Sequence, residues 1–436
     1  MERTISKLRE FINQSSTVFL WLFALTFLSF GFLIPALGFY WDDLPYLYQF
    51  SAFGPGGFPE FVASDRPFSA WIFSATTALF KYQPLWYHLL ALLLRWICAS
   101  LFYLILQQLW PHRRTANQIA AAIFAIYPGF LQQPIALIYN HHFSVLAMFL
   151  GSVLIMILNL KRDKPRLLPA LISILLAFSM FSIENFAMLE LVRPFLIWKI
   201  IRQKSTAHSK KDCWKVIRQW IPYLTVLVFF LIWRVFIFRF PTYKPTGVAG
   251  ILQVPFQAIG SILSRIPRDF FTVYINVWVA NLYLPTPMNF GKIATFLFWL
   301  VVISTSGLSV FFFHLQHGKQ KVSPTVNCHQ DRTVWEQLLG SVLLFLLAGS
   351  IVWGLDLRLE NEFAWDRLTL AFIPGVALLG GFLFAFLEDK KTIQITLLTI
   401  LFALASGLNF QNGIAFKRDW ERSEEHTSEL QSRQVI

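Results

Sequence analysis

Residues 17–50 read TVFLWLFALTFLSFGFLIPALGFYWDDLPYLYQF, a run of 23 uncharged and mostly apolar residues ending at Phe39, then two adjacent carboxylates framed by aromatic rings. A membrane-spanning helix needs about 20 mainly apolar residues, so 17–39 predicts one crossing that sets Asp42 and Asp43 down at an interface. Further runs of this kind lie at 84–110, 117–138, 142–160, 167–183, 219–238, 293–313, 337–355, 368–387 and 392–409. The whole chain agrees with this reading. Of its 436 residues 56% are hydrophobic and 14% charged, with 46 Phe and 16 Trp, which excludes an ordinary soluble domain. The net charge of +13 would suggest nucleic acid in a soluble protein. A polytopic chain instead gathers Lys and Arg in its cytoplasmic loops, so no nucleic-acid partner is inferred. Cys98, Cys213 and Cys328 lie far apart, with no spacing that suits a disulfide framework or a structural zinc site.

Three stretches need arbitration. Residues 186–198 (FAMLELVRPFLIW) are short and charged, but the flanks at 161–166 (KRDKPR) and 199–218 are both basic, so the chain crosses twice between them and 186–198 is a short span. Residues 257–284 carry SRIPRD at 264–269, three charges and a proline, and are placed on the outer surface as interfacial or re-entrant helices. FSAWIFSATTALF at 68–80 is too short to span, and its apolar residues recur at helical spacing. It predicts an interfacial amphipathic helix in the first outer loop.

The expectation is an all-α integral membrane protein with about eleven transmembrane helices and a cytoplasmic N-terminus. With that topology the inner segments hold 21 Lys/Arg against 8 Asp/Glu, and the outer ones 11 against 12. Residues 1–421 read as one polytopic domain without repeats. From Arg422 the chain reads RSEEHTSELQS, which resembles the conceptual translation of a sequencing-adapter oligonucleotide. Residues 422–436 therefore read as an artefactual tail on a domain truncated at its C-terminus.

Acidic groups at membrane depth are costly, so their placement is informative. Adjacent carboxylates can divide two roles, because crowding separates their proton affinities: one acts as a base while its neighbour binds a hydroxyl, a cation or an arginine. The bland alternative for Asp42 and Asp43 is a solvated acid pair beside an aromatic belt. Arg66 in SDRP, and Arg358 and Arg367 in LDLRLENEFAWDR at 355–367, are outer-face forks suited to phosphate oxygens. Local neutralisation by Asp65 and Asp366 is the simpler reading of Arg66 and Arg367. His141 and His142 in IYNHH suit phosphate or a metal, but successive positions point apart and a polar loop edge is expected. Glu184 either binds an acceptor hydroxyl or caps the next helix. Within the spans, Glu190 and Arg193 pair with each other, and Arg234 faces a carboxylate or a bound phosphate unless it snorkels to the interface.

A first span, an outer loop with a paired acidic motif at Asp42 and Asp43, an aromatic interfacial helix and many further spans resemble the C-type glycosyltransferase superfamily (GT-C). These are membrane enzymes that use polyprenyl-phosphate sugar donors. The resemblance implies an inverting hexosyl or pentosyl transferase of the bacterial plasma membrane with its site facing outside. It places the base, or the group orienting the acceptor, on Asp42 or Asp43. The implied partners are a polyprenyl-phosphate sugar, a glycan, lipid or protein acceptor, and membrane lipid. Some members carry a second acid in the second outer loop. Here Asn140, His141 and His142 stand there instead, so no cofactor is assigned and a divalent metal is compatible but not required. Two other readings compete. A polysaccharide polymerase or ligase would use an arginine-bearing outer loop, for which Arg239, Lys244, Arg265 and Arg268 are candidates, whereas a lipid or solute transporter would show repeated halves and helices broken near the midplane.

Overall fold

The computed structural model describes residues 2–204, 210–238, 253–279, 284–317 and 328–434, and over these residues the protein is helical without a strand. Among the described residues eight helices are long and apolar enough to cross a membrane. They are Ser16–Ala36, Pro84–Leu109, Ala136–Leu160, Asp212–Ile237, Lys292–His314, Val334–Gly354, Asp366–Ala385 and Lys391–Glu425. The protein is a helical integral membrane protein. The last of these belongs to a longer helix, Lys391–Gln434, that runs on through the stretch expected to be artefactual.

Three predicted spans take a different form. The run at 117–138 stops early: the helix Arg114–Ile126 ends before YPGFLQQPI at 127–135, and a new helix starts at Ala136. Pro128, Gly129 and Pro134 explain the break, since proline removes a donor and disfavours helical backbone in the residue before it. The boundary expected at 139–141 is therefore wrong, and His141 and His142 lie inside Ala136–Leu160 rather than at a loop edge. The run at 167–183 is the helix Leu167–Ala177 followed by a tighter 3-10 turn, Phe178–Phe181. The run at 186–198 is a 3-10 segment, Glu184–Val192, leading into the helix Arg193–Lys204.

Side-chain ties fix the directions of these segments. Asn140 donates to the Tyr87 carbonyl (2.9 Å) at one end of the bundle, and Lys161 donates to the Gln108 carbonyl (2.6 Å) at the other. Pro84–Leu109 and Ala136–Leu160 thus run parallel, and residues 110–135 return along the length between them. Likewise Asn159 holds the Arg166 carbonyl (3.0 Å) at the far end, while Ser182 reaches the Phe68 carbonyl (2.8 Å) at the end carrying the acidic loop. Gln203 then returns to the Leu109 carbonyl (2.7 Å) at the far end.

The broken segment 127–135 exposes backbone polar groups inside the bundle, and buried side chains take them up. Arg95, wholly buried, donates to the Ala125 and Tyr127 carbonyls (2.7 and 2.9 Å) and to Gln133 (3.0 Å), so a cation sits at the negative end of Arg114–Ile126. Asn409 and Asn412 take the Ile126 and Leu131 carbonyls (2.8 and 2.6 Å). Thr369 takes that of Gly129 (2.8 Å).

The stretch placed on the outer surface forms a helix, Pro255–Phe271, continued by a π turn at Thr272–Asn276 and a short helix, Val277–Val279. Its charges stay beside the acidic-loop end: Arg265 pairs with Asp356 (2.5 Å), and Asp269 accepts from the Trp353 indole (2.9 Å). Tyr274 meets Ser341 (3.4 Å), thirteen residues or about 20 Å down the neighbouring helix from Gly354. The segment therefore dips into the bundle, and the Val273 carbonyl in its π turn is taken by the Tyr127 hydroxyl (2.9 Å).

Candidate functional site

The adjacent carboxylates are separated by their surroundings. Asp43, fully buried, begins the helix Asp43–Phe53 and accepts from the Ile138 backbone N–H (3.0 Å) and, more weakly, from that of Tyr40 (3.5 Å). Ile138 lies in the first turn of Ala136–Leu160, whose donors have no partner within the helix, so Asp43 ties the loop to that N-terminus. Burial pushes its carboxyl up to about 8 despite these hydrogen bonds. Asp42 is half-buried and accepts no hydrogen bond among the described residues. Burial raises its proton affinity, and Arg367 and Arg66 oppose that rise.

The loop is held by aromatic packing and by one close approach. Trp41, just before Asp42, has a left-handed backbone (φ 42°), and so does Ala364 (φ 76°) two residues before Asp366. Such conformations cost of order 1–3 kcal/mol each and persist only where surrounding packing imposes them. Trp41 and Phe363 meet across the gap between these strained turns (4.9 Å). At Gly38 a Cβ would fall 1.9 Å from Trp420, so only glycine lets the end of the last long helix cover the loop.

Arg66 stands at the centre of the polar cluster. It pairs with Asp65 (2.9 Å), the expected local neutralisation, and also reaches Glu184 (3.5 Å) from a segment 118 residues away. Burial works against its charge, but Glu184 and Asp65 outweigh it and hold the guanidinium more firmly protonated than usual. Burial also works against the Glu184 charge. Arg66 and, to a lesser degree, Arg234 overcome it and keep that carboxylate below its usual range. Glu184 therefore faces arginines rather than serving only as a helix cap. Arg234 lies in a π turn, Trp233–Ile237, with its guanidinium 5.5 Å from the Phe238 ring.

Arg367 makes no close ion pair with its neighbour Asp366 among the described residues. Both oxygens of Asp366 are engaged elsewhere, Oδ2 by the Leu131 N–H (2.8 Å) and Oδ1 by the Gln132 amide (2.6 Å), and the Arg367 charge acts on Asp42 and Tyr139 as well as on Asp366. The broken segment 127–135 thus takes the hydrogen bonds of Asp366, and Arg367 keeps only a longer-range interaction with it. Arg358 is exposed, and no ion pair or hydrogen bond joins it to this cluster among the described residues. Arg239 and Lys244 lie outside the described residues.

His141 and His142 are buried within a line of rings running from Tyr46 through Phe73 (4.5 Å) to His141 (5.2 Å), His142 (5.4 Å) and Tyr139 (4.8 Å). His141 Nε2 has no hydrogen-bond partner among the described residues, nor has Arg66 Nε. Among the described residues no group of three or more His, Cys, Asp and Glu stands close enough to hold a metal ion. The donor set does not fit a metal site.

No family model and no curated protein matches the chain.

The cluster brings together Asp42, Arg66, Glu184, Arg234 and Arg367, with His141 and His142 beneath, and leaves out Arg358. Sequence reasoning missed two tyrosines. Tyr46, four residues after Asp42 and so on the same helical face, has a hydroxyl that burial and the nearby acids push up to about 12 while Arg66 opposes them. Tyr139 stands next to the flagged Asn140–His142 run, in the loop expected at 139–141. Chemically the arrangement offers a carboxylate with free lone pairs, three guanidinium groups for phosphate-like oxygens, and a buried aromatic floor.

Proposed function

We propose that the protein is a membrane glycosyltransferase of GT-C type. In this reading it transfers a sugar from a polyprenyl-phosphate donor to a glycan, lipid or protein acceptor on the outer face of a bacterial plasma membrane. The observation that carries the reading is the convergence of Asp42, Arg66, Glu184 and Arg367, from segments far apart in the chain, at one end of the bundle. Eleven crossings with the N-terminus inside put that end outside. The directions of 114–126 with 127–135, of 167–181 and of 184–204 support counting three crossings beyond the eight long helices.

Asp42 is the base. It accepts the proton of the acceptor hydroxyl as that oxygen attacks the anomeric carbon, and the bond from that carbon to the phosphate oxygen breaks, inverting its configuration. Arg66, Arg367 and Arg234 stabilise the charge left on the departing polyprenyl phosphate, and Glu184 keeps Arg66 oriented. Asp43 anchors the loop. The test is transfer from a polyprenyl-phosphate sugar in membranes containing wild-type protein, Asp42→Asn or Asp43→Asn. Transfer lost in Asp42→Asn and kept in large part in Asp43→Asn supports the reading, and full transfer by Asp42→Asn sinks it.

A further inference from the structure

Two tight turns at the acidic-loop end each hold one residue in the left-handed region. The Asp43 N–H closes the first on the Tyr40 carbonyl (2.8 Å), and Trp41 takes its second position (φ 42°). The Trp365 N–H closes the other on the Glu362 carbonyl (3.1 Å), with Phe363 in second position and Ala364 in third (φ 76°). Glycine would sit without strain at either left-handed place. A tryptophan there is an outlier, and such strain concentrates where the chain must present a side chain to a ligand. The turns bring their rings together. Trp41 and Phe363 stand 4.9 Å apart with ring planes at 58°, as the walls of a corner, and both remain exposed, at 41% and 51%. Phe416 backs Phe363 (6.4 Å) and Tyr40 backs Phe416 (5.0 Å), so the corner is supported by the last long helix. Its polar surroundings are the half-buried Asp42, next to Trp41, and the exposed Glu362, next to Phe363. An aromatic face is negative and attracts polarised C–H groups, while carboxylates accept from hydroxyls. A molecule with a C–H face and a rim of hydroxyls matches both features. A hydrocarbon chain matches the rings alone.

We propose that Trp41 and Phe363 form a binding site for a saccharide ring, and that the acceptor of the transfer is accordingly a sugar rather than a protein side chain or a simple lipid alcohol. The inference deepens the transferase reading and rests on it for the role of the bound sugar. The C–H face of the sugar lies against the indole and phenyl rings. Trp41 and Asp42 are consecutive, so a hydroxyl at the edge of that sugar meets the carboxylate that takes its proton. The strain at Trp41 and Ala364 then has a function: it holds two rings from loops more than 300 residues apart in one corner before the sugar arrives.

The experiment is saturation-transfer NMR on the purified full-length protein in lipid nanodiscs, with the methyl glycosides of common hexoses and pentoses as probes, because it reads binding without requiring transfer. Saturation should reach the ring C–H protons of at least one glycoside. That signal should fall about 2–10-fold in Trp41→Leu and in Phe363→Leu, and stay largely intact in Trp41→Phe, which keeps an aromatic face. Leucine retains apolar surface, so rings that served only to anchor the loops in the membrane interface would be replaced without loss of signal. The two leucine variants lie in separate loops, and the test survives if one of them does not fold. In the transfer assay with a saccharide acceptor, the same variants should raise KM for the acceptor by a similar factor and leave KM for the lipid donor unchanged. A panel in which no glycoside signal depends on the two rings overturns the proposal. Transfer to an acceptor that carries no sugar also overturns it and leaves the transferase reading standing. Ring-dependent glycoside binding by a protein that transfers nothing upholds the saccharide site and removes the transferase reading.

Discussion

Two sets of charges in this molecule are finished in opposite ways. Glu190 and Arg193 sit inside the bundle, both side chains at most 3% exposed, and every strong valence between them is closed. Arg193 donates twice to Glu190 and once to Ser152 (2.9 Å), while the Tyr223 ring lies 4.1 Å from its guanidinium carbon. The acidic-loop cluster is left open. Asp42 accepts no hydrogen bond among the described residues, Arg66 keeps an unpartnered Nε, and Arg367 makes no close ion pair among the described residues. A closed pair holds helices together. An open set of opposite charges, retained despite the cost of burying it, is what a ligand site needs.

Substitutions test this contrast. Asp42→Asn should lower transfer by about 10²–10⁴-fold, the usual worth of a general base, with the thermal midpoint in detergent unchanged. Arg66→Gln should cost about 10–100-fold, chiefly as a raised KM for the lipid-phosphate donor, because a hydrogen bond to a charged group is worth about 1.5–3 kcal/mol. Glu190→Gln should leave transfer per folded molecule unchanged yet lower stability by about 3–5 kcal/mol, since it strands a buried cation. The double change to methionine at 190 and 193 should recover most of that loss, as thermal melts and yields would show. If Glu190→Gln instead removed transfer from a stable protein, the contrast drawn above would fail.

At Asp43 pH supplies the measurement. The folded protein holds this proton up to about pH 8, whereas an unfolded chain releases it near pH 4. Between those values the folded state binds more protons, so this group's contribution to stability falls as pH rises. Asp43→Asn, which keeps a carbonyl acceptor for the Ile138 N–H, should flatten that slope in melts run from pH 5 to 8.

Much of the fold was legible because long apolar runs have one solution in a bilayer. The runs at 84–110, 337–355 and 392–409 became helices for that reason. The run at 117–138 misled because apolar residues continue past Ile126. What ends the helix there is YPGFLQQPI, and what makes the break tolerable is Arg95, Asn409 and Thr369, contributed by three other helices. The Glu190–Arg193 pair was readable because three residues on a helix are neighbours whatever surrounds them. The surroundings of Arg367 were not, since the oxygens of its sequence neighbour Asp366 are taken by distant Leu131 and Gln132.

The amino-acid sequence by itself determined the solvent of this protein, the positions of its long helices and the choice of Asp42, Arg66, Glu184 and Arg367 as residues worth following. Local hydropathy and charge are properties of a stretch of chain, and a membrane reads them stretch by stretch. Only the tertiary structure decided which carboxylate of the Asp42–Asp43 pair stays open, which arginines share it and which one stands apart. Those outcomes depend on contacts between segments distant in the chain, and on the burial that makes each contact decisive.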